Sequence, residues 1–212
     1  MLVVHEALRR SYGRMPDLIR QVRPGDIQRA EIVADHVQLM ETFLHLHHKG
    51  EDDLLWPKLL ERASDRIEAT VAIMESQHEE IAERLAESSD LLSTWRNRPS
   101  RDSGEALADC LALLGRLLDE HLAIEEKEIL PLVPDYITAK EWHQLGDHAI
   151  NALPKNKLPI VFGMLASIAE PEVVKLMLSS APLVPRLIMP ALGPKAYSRH
   201  ARKLYASGPS GS

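Results

Sequence analysis

Three turn-forming breaks divide residues 2–130 into four stretches of helical periodicity, and no other feature constrains the fold as much. The breaks are "RPGD" at 23–26, the segment after Pro57, and "NRPSRDSG" at 97–104. The first stretch, 2–21, carries Leu2, Val3, Leu8, Leu18 and Ile19 as its apolar positions, with Gly13 and Pro16 as points where it can kink. Asp26 is placed to cap a second helix over about 27–55, whose stripe includes Val33, Val37, Met40, Phe43 and Leu44. Asp65 followed by Glu68 has the form of a capping box and opens a third helix over about 66–95. A fourth runs from about Glu105 to Leu130, where Pro131 stops it. Four helices on short turns predict an all-α, up-down-up-down four-helix bundle.

Composition agrees. Aromatic residues make up only 4% of the chain, which suits helices better than strands. The lone Cys110 excludes an internal disulfide framework and fits a reducing, cytoplasmic setting. Met1 leads directly into a stretch with His5, Glu6, Arg9 and Arg10, so no signal peptide is expected. No apolar run approaches the ~20 residues of a membrane span. Residues 1–138 hold 27 acidic against 16 basic side chains, whereas residues 139–212 hold 4 against 9. An acidic body argues against nucleic acid as a partner and predicts attraction to its own basic tail.

Alternating helix directions bring one end of each helix to the same end of the bundle. His5 lies early in the first helix, "HLHHKGEDDLLWP" (45–57) late in the second, "MESQHEE" (74–80) early in the third, and "HLAIEEKEILP" (121–131) late in the fourth. His47 and Glu51 are four apart, as are His121 and Glu125, so each pair shares a helix face. With His5 and His78 they make six candidate ligands, more than one tetrahedral zinc uses and about right for two ions. Imidazole with carboxylate suits iron, manganese or zinc.

The pattern H…HxxxE…H…HxxxE, with "HHKGEDDLLWP" and "HLAIEEKEILP" as its most specific parts, resembles the hemerythrin-like (HHE) domain over residues 1–135. The tail resembles the extension of actinobacterial members more loosely. The resemblance implies two iron ions with an oxo or hydroxo bridge, in contact with O2, peroxide or nitric oxide. It also implies His5, His47, His78 and His121 as terminal ligands, and Glu51 and Glu125 as bridges. Two departures stand out. Oxygen carriers of the family have HxxxH on the third helix, and here the earlier position is Met74, so His48, Glu75, Tyr12 or water is left to complete that ion. Carriers also place the last carboxylate one residue later, at Glu126; helix geometry favours Glu125, which lies about 40° rather than 140° around from His121.

Outside this set, Tyr12 is expected as a core residue with a bonded hydroxyl, His36 as structural, and Cys110 as a small core residue. His45, His143, His148 and His200 are expected on the surface. Thr138 with Glu141 predicts a capped helix over about 139–152. Pro159, Pro171, Pro182, Pro185 and Pro190 then cut an apolar segment into two or three short helices, ahead of a basic amphipathic helix, "KAYSRHARKLY". The organisation expected is a bundle over 1–135, a helical extension packing on it over 136–206, and a flexible tail over 207–212.

Two functions follow as expectations. One is a peroxide- or O2-reactive oxidoreductase or scavenger, favoured by the histidine missing at Met74. The other is an O2 or nitric oxide sensor that engages a protein partner through the apolar C-terminal helices. A ferritin-type ferroxidase ranks last, because Leu118 stands where its second ExxH motif needs an acid.

Overall fold

The computed structural model describes residues 1–179 and 183–206, with the backbone alone for residues 64–66. Every regular element among the described residues is a helix, without strands. The bundle consists of α1 (Leu2–Arg20), α2 (Ile27–Gly50), α3 (Trp56–Asn97) and α4 (Arg101–Ile124). Helix α1 packs on α2 and α4, and α3 on α2 and α4, so chain neighbours are also spatial neighbours around the ring. Leu8, Met15, Val37, Met40, Leu44, Ile81, Leu111, Leu114 and Leu118 meet along its axis. Each such side chain contributes about 1.5–3 kcal/mol by leaving water.

The helix ends follow local chemistry. The Asp26 side chain accepts from the Arg29 N–H, as expected of an N-cap. Helix α4 starts earlier than 105, because Ser100 and Ser103 form a reciprocal capping box at its head. Asp65, expected as the cap of the third helix, has its side chain outside the described residues. Helix α3 begins instead at Trp56, one π-helical turn beyond the end of α2, and absorbs the expected break as a kink at Ala63 (φ −138°, ψ 24°). Pro57 sits in the first turn of α3, where its missing N–H costs nothing.

Both Glu51 and Glu125 begin a single π-helical turn, Glu51–Leu55 and Glu125–Ile129. In each, the N–H five residues on donates to the glutamate carbonyl: Trp56 to Glu51, and Leu130 to Glu125. A proline follows immediately in each case, and its ring opposes the normal i−4 contact. Such turns concentrate at functional sites. Below them Trp56, Leu59, Ile67, Met74, Ile129 and Ile137 form a second apolar cluster that closes this end of the bundle.

After a 3₁₀ turn (Leu130–Leu132) come α5 (Val133–Tyr136), α6 (Ala139–Ala152), α7 (Leu158–Ala166), α8 (Pro171–Ser179) and α9 (Leu183–Tyr205). Helix α6 has the expected bounds, with the Thr138–Glu141 capping box in place. The final segment differs from expectation: α9 runs through Pro190 and Pro194 as one helix. Both prolines are exposed, so the carbonyls they free can be solvated. Helices α7 and α9 cross at Gly163 and Gly193, where a Cβ on Gly163 would run into the Gly193 carbonyl. No described helix is long and apolar enough to cross a membrane. The tail over 207–212 lies outside the described residues.

Candidate metal centre

The structure brings all six sequence-selected residues together with His48, one of the candidates for the place left by Met74. Two four-residue groups form: His5, His47, Glu51 and Glu125, and beside them His48, Glu51, His78 and His121. Within each group the available donor atoms lie within 4.8 Å of one another, and every member is buried. Glu51 belongs to both groups and Glu125 to one. His48 stands where Met74 leaves a gap; its ring stacks on His78, centroids 4.0 Å apart. Met74 itself is buried in the apolar cluster with Trp56 and Leu59, and Glu75 is exposed.

Helix geometry explains why both adjacent histidines reach the site. His47 lies four residues before Glu51 and His48 three, so the two flank the glutamate on one face. Of the candidates for the place left by Met74, His48 is the one that joins the cluster.

The outward nitrogens are held by partners that fix the tautomers. His5 Nδ1 lies 2.9 Å from Glu126 Oε1, His78 Nδ1 2.7 Å from Asp52 Oδ1, and His121 Nδ1 3.2 Å from Gln77 Oε1. A carboxylate or amide oxygen only accepts, so Nδ1 carries a proton in all three and Nε2 is the nitrogen turned inward. Trp56 Nε1 donates to the same Asp52 oxygen at 3.1 Å. Arg9 donates to both oxygens of Glu126. Burial pushes the Glu126 carboxyl up, but Arg9 and His5 outweigh it and hold the group below its ordinary range. Glu126, the alternative to Glu125, therefore acts on the far nitrogen of His5.

The inward atoms are mutually unfavourable as they stand. His78 Nε2 and His121 Nε2 face each other at 3.2 Å. His5 Nε2 lies 3.2 Å from Glu125 Oε2, and His47 Nε2 3.4 Å from Glu51 Oε1. Yet Nε2 of His5, His47 and His48 and all four oxygens of Glu51 and Glu125 have no hydrogen-bond partner. Burial lowers the His47 and His48 pKa values well below the ordinary value, and burial with neighbouring His78 and His5 takes His121 to about 3. Neutral imidazole is the ligating form. Burial, then Glu125, pushes the Glu51 carboxyl well above its usual range. Bare nitrogens and carboxylates converging in a dry interior call for cations between them. The donor set fits two metal ions, with three histidines and one glutamate for one and two of each for the other.

Several other expectations are corrected. The Tyr12 hydroxyl is buried without a hydrogen-bond partner. His200 is half-buried, its Nε2 3.1 Å from Nδ1 of buried His36, and His148 approaches Asp53 at 4.0 Å. His45 and His143 are exposed and Cys110 is buried, as expected. Where the acidic body meets the tail, Arg62 of the body donates to Glu141 of the tail at 2.7 Å, the opposite sense from the expected attraction.

Residues 1–133 match the family model of the hemerythrin HHE cation binding domain. No curated protein and no solved structure matches the chain.

Proposed function

The chain belongs to the hemerythrin HHE cation-binding family, and on that footing we propose that it is a non-haem di-iron protein reacting with hydrogen peroxide or O2. The observation that carries this reading is the pair of buried four-donor groups sharing Glu51. Glu51, a member of both groups, would serve both ions; His5, His47 and Glu125 would complete one site, and His48, His78 and His121 the other. Iron commonly takes six ligands, so four protein donors leave each ion room for solvent or a small molecule. With His48 present, that room no longer depends on the histidine missing at Met74. Two adjacent irons supply, when bound, the two-electron capacity that O–O chemistry requires.

The chain's own residues do the rest. Glu126, Asp52 and Gln77 keep the Nδ1 protons on His5, His78 and His121 and so aim Nε2 inward. The apolar cluster around Trp56 and Ile129 excludes bulk water on one side. Peroxide disproportionation, two H2O2 to O2 and two H2O, needs no outside reductant, which is why it is preferred to O2 reduction.

The test is anaerobic reconstitution with ferrous iron, followed by iron analysis and oxygen-electrode assay with peroxide. About two irons per chain are expected, with O2 released and the rate falling in His121→Ala and Glu125→Ala. A protein that forms a stable, reversible oxygen adduct and leaves peroxide untouched would contradict the catalytic reading. It would favour the second one, a sensor of O2 or nitric oxide that signals through the C-terminal helices. Supporting that alternative, Leu183, Val184 and Leu187 of α9 are well exposed.

A further inference from the structure

Beyond Glu172 the chain is purely cationic. Residues 173–212 hold Lys175, Arg186, Lys195, Arg199, Arg202 and Lys203 and no acid, in a protein whose net charge is −6. Among the described residues none of these six side chains forms an ion pair. The same segment leaves its apolar side chains in water. Leu183, Val184 and Leu187 are 71%, 65% and 69% exposed, more than any other large apolar side chain described.

The helical period sorts α9 into two faces. At about 100° per residue, Pro185, Met189, Gly193, Tyr197, His200 and Leu204 form one stripe, buried or half-buried where α9 packs on α7 and α2. The opposite face is exposed along its length. Its first half carries Leu183, Val184, Leu187, Ile188 and Leu192, and its second half Lys195, Arg199 and Arg202. Helix α8, which packs on α9, adds exposed Val173 and Leu176. Together these aliphatic side chains expose apolar surface on the order of several hundred Å², the scale that marks an interaction site.

We propose that the outer face of α8 and α9 docks on an anionic lipid bilayer, with the first half of α9 among the acyl chains and its second half among the headgroups. The charge pattern selects this occupant. Anionic headgroups over hydrocarbon complement a helix face that is aliphatic at one end and basic at the other. Residues 1–138, with 27 acids against 16 bases, are repelled by the same surface, so the tail is the part that turns toward it. A protein interface is typically anchored by aromatic side chains; the apolar half of this face has none, and hydrocarbon needs none. No described helix can cross a bilayer, and Pro190 and Pro194 free carbonyls that need water, so α9 lies on the surface rather than across it. This docking is independent of what the metal centre binds.

Sedimentation of the full chain with sucrose-loaded vesicles is the test. The protein should pellet with equal parts of phosphatidylglycerol and phosphatidylcholine and stay in solution with phosphatidylcholine alone. Joint Leu183→Glu and Leu187→Glu should weaken the partition by about tenfold or more. Joint Arg186→Gln, Lys195→Gln, Arg199→Gln and Arg202→Gln should weaken it by about a hundredfold. Ile73→Glu, at an exposed apolar site on α3, should leave it unchanged. All of these side chains are exposed, so melting curves should match the wild type; Leu176→Ser is the milder variant should the double glutamate change misfold, and should weaken binding by about threefold or more. Absence of binding to the anionic vesicles overturns the proposal. So does binding that is unaltered in folded Leu183→Glu, Leu187→Glu protein, which is adsorption by charge alone. Light scattering reads the competing occupant: a dimer that the same two changes dissociate, without vesicle binding, assigns the face to a second copy of the chain and overturns the lipid reading.

Discussion

Replacing Glu51 by methionine, which has similar length and no charge, separates what the site costs from what it holds. Glu51 is fully buried, both of its oxygens lack a hydrogen-bond partner, and burial with Glu125 pushes its carboxyl well above the usual range. Part of the cost is thus met by a bound proton, and the unsatisfied polar atoms account for the remainder, about 1–3 kcal/mol. Without metal, Glu51→Met should therefore be the more stable protein. At about 2–4 °C per kcal/mol for a chain of this size, its melting temperature should rise by about 2–12 °C. With ferrous iron the order should reverse. A ligand at a hundredfold excess over its Kd adds about 2.7 kcal/mol to the wild type, and the variant, lacking the shared donor, should gain far less. Anaerobic calorimetry of both proteins, with and without iron, measures all four quantities. A metal-free variant that melts at or below the wild type, or an equal gain from iron in both, would falsify the argument that Glu51 is a strained carboxylate awaiting cations.

The remaining expectations concern other parts of the molecule. His48→Ala should reduce iron to about one per chain, whereas Met74→His should leave iron content alone and cost about 1–3 kcal/mol by placing an imidazole in the Trp56 cluster; metal analysis and melting curves check both. Burial and His200 lower the His36 pKa to about 3 from 6.5, so the unfolded chain binds a proton there that the native chain refuses, and stability should fall as pH drops from 6.5 toward 3. His36→Gln should reduce that slope by up to about 1.4 kcal/mol per pH unit, read from denaturant titrations across this window. Gly163→Ala should force α7 and α9 apart, because its Cβ meets the Gly193 backbone and cannot be accommodated by a side-chain rotation; limited proteolysis should cut the variant within α9 faster than the wild type.

Legibility in the sequence followed the range of the interactions involved. His47–Glu51 and His121–Glu125 could be read because a four-residue spacing fixes a shared face within one helix. Their meeting with His5 and His78 could be read because short turns force alternating directions. Helix α6 was legible to its bounds, since Thr138 and Glu141 cap it within a single turn. Other features depend on contacts distant in sequence. Helix α3 begins at Trp56 because Trp56, Leu59 and Ala63 find an apolar cluster with Ile129 and Ile137, which holds a kinked helix where the local pattern suggested a turn. Helix α9 survives two prolines because its crossing with α7 needs only Gly163 and Gly193 to be bare. His36 and His200 are 164 residues apart, and nothing local marks them as partners. His48 was legible only as one of four candidates, with Glu75, Tyr12 and water, for the place left by Met74; choosing among them takes the packing of α2 against α3, which stacks His48 on His78 and leaves Glu75 exposed.

The most direct test of the central claim is diffraction at the iron absorption edge from crystals of the protein reconstituted anaerobically with ferrous iron. Two anomalous peaks are predicted, about 3.5–4 Å apart, one among His5, His47 and Glu125, the other among His48, His78 and His121, with the Glu51 carboxylate between them. A single peak, or two peaks with the His48 ring turned away from both, would contradict the account.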